Sequence, residues 1–592
     1  MGESQSKKNR IFENGIKSRD GILLALLGLF LVAIIARLFY VQVVAGGDYA
    51  DKAATAHTNK ITLEAKRGTI YDRNGVVIAS DVDATTIYAD PQQITDFDGV
   101  AQTLADVLGP TTNKTKDDYY KLIDQPDLSF VYILRKADAD LASSLKDTLK
   151  SQKLDGIHYL SDTKRVYPNG DVGSQLVGNV DVDGNGIAGL ELEYNDLVGG
   201  TDGVLETERG SKGLPIPDGE ISRTDAVDGK DIVTSIDINL QKKAEEALLP
   251  VVQEYNAQGG SVTVMDASTG EIYASCSYAK KTSSSSGDSD SDSGSKSKYS
   301  LEVGKLWSAT DSYEPGSTFK ALTATSILTN NADVNTNTTF TVPGALQVYD
   351  ATIKDSHEHG TETLSLNDII AQSSNIGTVL ASRTVSSDQL YNTYKTFGIG
   401  QNPGTDFPGT ASGSIKDASS WDPVTAANIT FGQGVSVTGM QIVRAYGALE
   451  QRGTMHTPHF LTSIPNDQAK TDELTSPLNT SDNVADANVC NEVVSMMKSV
   501  VTDGTGKDAA VDGFTVAGKT GTAEVAKSSG GYGNGYIVSF GGWLEGSSSN
   551  LVCLVTVQQP RTEAGGGEVC GPVFADIMSF AAERYHIAAQ AN

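Results

Sequence analysis

Cysteine is scarce: four residues in 592, Cys276, Cys490, Cys553 and Cys570. None lies in a C-x-x-C spacing, so a zinc ribbon or a thioredoxin-type redox motif is excluded. None precedes residue 276, so no disulfide staples the N-terminal part. In an exported chain the four would allow three full pairings, and the sequence does not choose among them. Basic charge is also in deficit: 46 Lys and Arg stand against 74 Asp and Glu, a formal net charge of -28. Nucleic-acid binding needs a basic surface and is therefore not expected. A first half of a calcium loop occurs at Asp181, Asp183, Asn185 and Gly186, but the twelfth position is Leu192 instead of a bidentate glutamate, so the segment reads as a glycine-rich turn. His357-Glu358-His359 has no further ligand cluster near it and reads as a polar loop; no metal and no cofactor are expected.

Apolar residues are present in the amount packed cores require, 39% of the chain, and the length implies more than one domain. One long apolar run exists. Residues Ile22 to Val44 would span roughly 35 Å as a helix, enough for a tilted crossing of the hydrocarbon. Lys7, Lys8, Arg10, Lys17 and Arg19 precede it, so the positive-inside rule puts the N-terminus in the cytoplasm and the rest outside. Arg37, near the outer end, can snorkel, and Phe39 and Tyr40 suit the interface. A cleaved signal peptide is the competing reading, against which stand the length of the run and the lack of a clear A-x-A site.

Beyond the helix the pattern becomes short and β-like. Asn74-Gly75, between Ile70-Tyr71 and Val76-Val77-Ile78-Ala79, predicts a hairpin. Residues 97 to 155 read as helical in spacing, and 181 to 213 as glycine-rich turns. A boundary is placed near Gly229. After it, Ile232 to Ile236 predicts a strand and Leu240 to Leu249 a helix, which Pro250 should end or kink. Ser261 to Ser275 predicts strand, turn, strand; Tyr536 to Trp543 and Leu551 to Val557 predict two more strands, and a helix near Pro572 to Tyr585 closes the chain. Between the hairpin and the first helix of chemical interest, Thr282 to Lys298 is a serine-rich, low-complexity surface loop.

Three short motifs carry chemistry. In Glu314-Pro315-Gly316-Ser317-Thr318-Phe319-Lys320 a Pro-Gly turn precedes a helix pattern, and Ser317 and Lys320, three apart, share one face. A serine hydroxyl needs a base within hydrogen-bond reach, and a lysine serves if burial or nearby positive charge leaves its amine neutral. By itself the pair is commonplace on exposed helices. Ser373-Ser374-Asn375 follows an amphipathic helix, Leu364 to Ala371; Ser373 could relay a proton and Asn375 could orient the lysine, although Ser and Asn there would also serve as ordinary caps. Lys519-Thr520-Gly521-Thr522 lies in a strand-like run. Lys519 and Thr520 can bind a carboxylate, Gly521 leaves room for a substrate backbone, and the N–H groups of Thr522 and Ser317 could form an oxyanion hole; the bland alternative is a lysine-protected sheet edge. The order S-x-x-K, S-x-N, K-T-G, separated by 56 and 146 residues, is far more specific than any one motif.

With these motifs the chain resembles the class B penicillin-binding proteins, monofunctional peptidoglycan D,D-transpeptidases. Arg67 to Gly75 resembles the start of their pedestal domain, Gly186 to Glu191 with Tyr194 and Leu197 a second pedestal motif, and Phe431 to Thr438 the stretch between their second and third catalytic motifs. The pedestal motifs look more like septal or sporulation members than elongation members. The resemblance implies a multidomain architecture: a cytoplasmic tail (1–20), a single transmembrane anchor (21–45), an α+β pedestal of dimerisation type (46–229), and an α/β transpeptidase domain (230–592). That last domain would be serine β-lactamase-like, an antiparallel sheet with helices, here with the insert at 282–298. It implies that Ser317 attacks the penultimate D-alanine carbonyl of a stem peptide, that an amine of a neighbouring stem peptide takes the acyl group, and that β-lactams acylate the same serine. It also implies a membrane setting and partners of the SEDS-type glycosyltransferase and divisome or elongasome kind. A D,D-carboxypeptidase or β-lactamase would share the motifs but hydrolyse the acyl-enzyme, and the anchor with a large pedestal argues against it. A sensor is disfavoured by the short tail, and a non-catalytic scaffold by the intact motifs.

Overall fold

The computed structural model describes residues 3–45, 58–209, 215–281, 299–526 and 531–588. The serine-rich insert expected at 282–298 lies outside the described residues.

Contacts divide the chain into two units, Met1–Ala65 with Thr201–Val227, and Lys66–Gly200 with Asp228–Asn592. The first holds the long helix Glu3–Phe39, extended by a wider turn through Val44, and a three-stranded antiparallel sheet of Thr58–Leu63, Gly203–Arg209 and Pro215–Thr224. The stretch Gly21–Val44 has a mean hydropathy of 2.8, and its side chains are almost all exposed. Apolar side chains left exposed over six turns are what a single-pass membrane anchor presents to lipid.

In the second unit the Asn74-Gly75 turn joins Ile70–Tyr71 to Val77–Ala89, as the sequence predicts. The long strand pairs with Val131–Asp138 and with Ile157–Val166, and the sheet continues through Ile232–Thr234 to Leu461–Ser463. The helical spacing read over 97 to 155 is corrected at one segment. Helices Phe97–Thr112, Lys116–Ile123 and Ala139–Gln152 are present, but Val131–Asp138 is a strand whose Val131, Ile133 and Ala137 face those helices. Its period-two burial was masked by charged neighbours. Beneath this sheet Glu191, wholly buried, joins two arginines: Arg67 Nε donates to it at 2.6 Å and Arg165 Nε at 2.7 Å, while Arg165 also meets Asp81 at 3.2 Å. Arg67 and Glu191 come from the two pedestal motifs, Arg165 from the strand Ile157–Val166 and Asp81 from Val77–Ala89, so the network ties the motifs to the sheet.

The catalytic half is a six-stranded antiparallel sheet. Its strand order is Tyr299–Leu301, Ile272–Lys280, Gly259–Asp266, Leu551–Gln558, Tyr532–Glu545, Thr515–Ala526. Helices Ile238–Glu254 and Gly566–Arg584 cover one face, and Lys320–Asn330, Gly439–Glu450 and Ala487–Thr502 fill the other. The near-continuous apolar strands are explained by burial on both faces. Pro250 does not end its helix, which runs on to Glu254. The proline sits on the exposed side, where water can satisfy the carbonyl that its missing N–H leaves free. All four cysteines are buried free thiols in this half.

Candidate active site

The nucleophile turn is built from close backbone approaches. Gly316 has φ of 57°, and a Cβ there would lie 2.5 Å from the Thr522 carbonyl oxygen. Its N–H donates to Gly432 O at 3.0 Å, and the short strand Ser312–Tyr313 pairs with Val437–Thr438. The Phe431–Thr438 stretch thus clamps the turn in place. Ser317 follows in a 3-10 turn, Gly316–Phe319, that leads into the helix Lys320–Asn330; its side chain is half-buried, and its hydroxyl has no hydrogen-bond partner among the described residues. One turn later Lys320 is fully buried.

The Lys320 amine does not bond Ser317 but the second motif. Nζ donates to Asn375 Oδ1 at 2.7 Å, to Ser373 O at 2.6 Å and, weakly, to Ser373 Oγ at 3.4 Å. Ser373 holds a left-handed backbone, φ 61°, which for a serine costs on the order of 1–3 kcal/mol. That conformation turns its carbonyl onto Lys320. Ser374 caps the next helix, Asn375–Ser382, through Gly377 N at 2.8 Å. Asn375 thus holds the lysine amine while Ser374, a different residue of the same motif, supplies the helix cap.

The third motif lies on the edge strand of the sheet. Lys519 is fully buried and donates to Ser373 Oγ at 2.9 Å and to Thr520 O at 3.2 Å. Thr520 Oγ1 shares a proton with Thr505 Oγ1 at 2.6 Å. A Cβ on Gly521 would meet Ser539 Oγ at 2.2 Å and Pro315 O at 3.1 Å, so only glycine lets strand and nucleophile turn come this close. Thr522 points outward. An edge strand keeps unpaired N–H and C=O groups, which can pair with an extended peptide.

Two ammonium groups thus converge on one neutral hydroxyl. Burial brings the Lys320 amine down to about 7, against the pull of the Asp355 charge. Burial and the charge of Lys320 hold Lys519 well below its ordinary range. An amine that gives up its proton near pH 7 has the proton affinity that suits a general base at that pH.

Sequence reasoning missed the support beneath the second motif. The Asp355 side chain, 1% exposed, accepts from Asn375 N at 2.5 Å, Ile376 N at 3.0 Å and Ser374 Oγ at 2.7 Å, with His359 Nε2 at 3.1 Å. A single aspartate in a polar loop has no spacing that would mark it. Tyr446, whose hydroxyl donates to Thr318 O at 2.7 Å, is a second such support.

Residues 260–579 match the penicillin binding protein transpeptidase domain family, and residues 62–234 match the penicillin-binding protein dimerisation domain. The chain belongs to the class B penicillin-binding proteins. It is 30% identical to stage V sporulation protein D of Bacillus subtilis, over 92% of this chain and 82% of that one. It is 28% identical to the peptidoglycan D,D-transpeptidase FtsI of Escherichia coli, over 97% and 92% respectively. Among solved structures, penicillin-binding protein 2X of Streptococcus thermophilus superposes with a TM-score of 0.69 at 25% identity, covering 89% of this chain and 80% of that one. The transpeptidase match contains all three motifs, and the dimerisation match contains both pedestal motifs.

Proposed function

We propose that this penicillin-binding protein is a peptidoglycan D,D-transpeptidase that works through an acyl-Ser317 intermediate. The observation that carries the reading is the convergence of Lys320 and Lys519 on Ser373, beside the turn that presents Ser317. Lys320, in its neutral form, takes the Ser317 proton as Oγ bonds to the penultimate D-alanine carbonyl carbon. The oxyanion forms against the N–H groups of Ser317 and Thr522. Ser373 passes the proton from Lys320 to the leaving amine, the C–N bond breaks, and D-alanine departs. An amine of a second stem peptide then attacks the ester, loses a proton to the same relay and releases Ser317. Lys519 and Thr520 hold the substrate carboxylate, whose negative charge restores the proton that the empty site draws from Lys519. Asn375 orients Lys320 and meets the substrate amide. β-Lactams mimic the donor and stop at the acyl-serine.

Residues 21–45 anchor the protein with residues 1–20 in the cytoplasm, residues 46–229 form the pedestal, and residues 230–592 carry the reaction on the outer side. The basic residues before the helix support that orientation. The anchor and pedestal are the parts expected to meet a SEDS-type glycosyltransferase and other divisome or elongasome proteins.

The test is covalent labelling of the full-length, detergent-solubilised protein by a fluorescent penicillin, read by intact mass. One drug mass, absent in Ser317→Ala and stable for hours, supports a transpeptidase. Release within minutes points to a hydrolase, and an adduct that survives Ser317→Ala refutes the assignment of the nucleophile.

A further inference from the structure

The polar loop before the second motif carries a histidine in a setting that favours its charged form. Nε2 of His359 lies 3.1 Å from Asp355 Oδ2, and Nδ1 lies 2.7 Å from Gly360 O and 3.2 Å from Glu362 Oε1. All three partners are acceptors. A neutral imidazole has one N–H and would leave one nitrogen lone pair against an oxygen lone pair, so only the imidazolium satisfies both sides. The side chain is 8% exposed, so protein covers most of the ring.

What His359 touches is the support of the catalytic motif. Asp355 holds the backbone of Asn375 and Ile376 and the hydroxyl of Ser374, and Asn375 in turn holds Lys320. Asp355 is also the anion that opposes the lowering of Lys320 by burial.

We infer that His359 and Asp355 form a positioning pair, in which a cationic His359 steadies Asp355 under Ser374 and Asn375 and offsets the charge that Asp355 exerts on Lys320. This rests on the assignment of Ser317 and Lys320 made above. The pair lets a carboxylate do the holding without keeping the base protonated. The groups facing His359 are Asp355, Glu362 and the His357 ring at 5.3 Å, with Lys320 beyond Asp355. Burial pulls His359 down, but the Gly360 carbonyl and the two carboxylates push it up by more, leaving it above the ordinary histidine value. The cation is therefore present below that raised value and is lost as pH rises through it.

The test is the pH dependence of penicillin acylation in full-length protein, comparing wild type, His359→Gln, Asp355→Asn and Ser317→Ala. Gln keeps a donor for Asp355 but no charge. In H359Q the acid limb should move to higher pH, lowering the rate at pH 7 about three- to tenfold, with recovery above pH 8. In D355N the limb should move the other way, under a lower plateau, because an amide offers its N–H toward donors. A purely structural histidine would leave the limb of H359Q where it is in wild type. That result, with Ser317→Ala unlabelled, overturns the pair alone; labelling of Ser317→Ala overturns the site assignment beneath it. Should H359Q melt before assay, deuterium exchange at the imidazole C2 position gives the titration of His359 in the unaltered protein. A ring still charged at pH 7 supports the pair, and one already neutral at pH 6 overturns it.

Discussion

Two places among the described residues bury two basic side chains close together, and they treat them in opposite ways. Under the pedestal sheet, Arg67 and Arg165 share the carboxylate of Glu191, and Arg165 also meets Asp81. In the catalytic half, Lys320 and Lys519 share the hydroxyl of Ser373, and neither makes an ion pair among the described residues. Guanidinium groups cannot give up their protons, so their burial demands anions. Amines can, so burial without a paired anion pulls their pKa values down. The first arrangement holds a shape, and the second, on the function proposed above, makes a base.

Substitutions at each place should therefore separate chemistry from stability. The largest effect is expected from Lys320→Met. It removes the base and should lower penicillin acylation by about 10²- to 10⁴-fold, with the melting temperature nearly unchanged. Glu191→Ala should do the reverse. Arg67 left without an anion, and Arg165 left with Asp81 alone, should cost about 3–5 kcal/mol in chemical denaturation, while the folded fraction still acylates. If E191A were as stable as wild type, the pedestal network would not be the scaffold described here. Gly521→Ala tests the approach of edge strand to nucleophile turn. Its methyl would press on Ser539 and Pro315, with an expected loss of about 1–3 kcal/mol and slower acylation, seen by melting and by labelling rate. The smallest effect is expected at sulfur. Titration under denaturing, non-reducing conditions should count four reactive thiols, and reductant should leave the melting temperature where it is.

The contrast also marks what a sequence makes legible. The hairpin at Asn74-Gly75 and the catalytic strands could be read because turn residues and apolar runs are local signals. The strand Val131–Asp138 was hidden among helical spacings, and the passage of the helix through Pro250 depended on which side faced water. At the site, Ser317, Lys320, Ser373, Asn375 and Lys519 to Thr522 stand in motifs whose order is informative. Asp355 and His359 do not: they act through hydrogen bonds to backbone N–H groups and to each other, and such contacts exist only once the loop has folded against the helix start. The sequence pairs Ser317 with Lys320 and offers Asn375 to orient the lysine; in the structure the amine is held by Asn375 and Ser373 and not by Ser317, so it is oriented by a motif more than fifty residues away.

The most direct test of the account is the acylation rate of the full-length protein by a penicillin as a function of pH, because the central claim is that burial without an anionic partner leaves Lys320 neutral enough to act as base at about pH 7. The account predicts a rate that climbs about tenfold per pH unit on the acid side, bends near 7 and levels above it, and that vanishes in Ser317→Ala. A rate that stays flat from pH 5.5 to 9, or that begins to rise only near the ordinary lysine value, would contradict it.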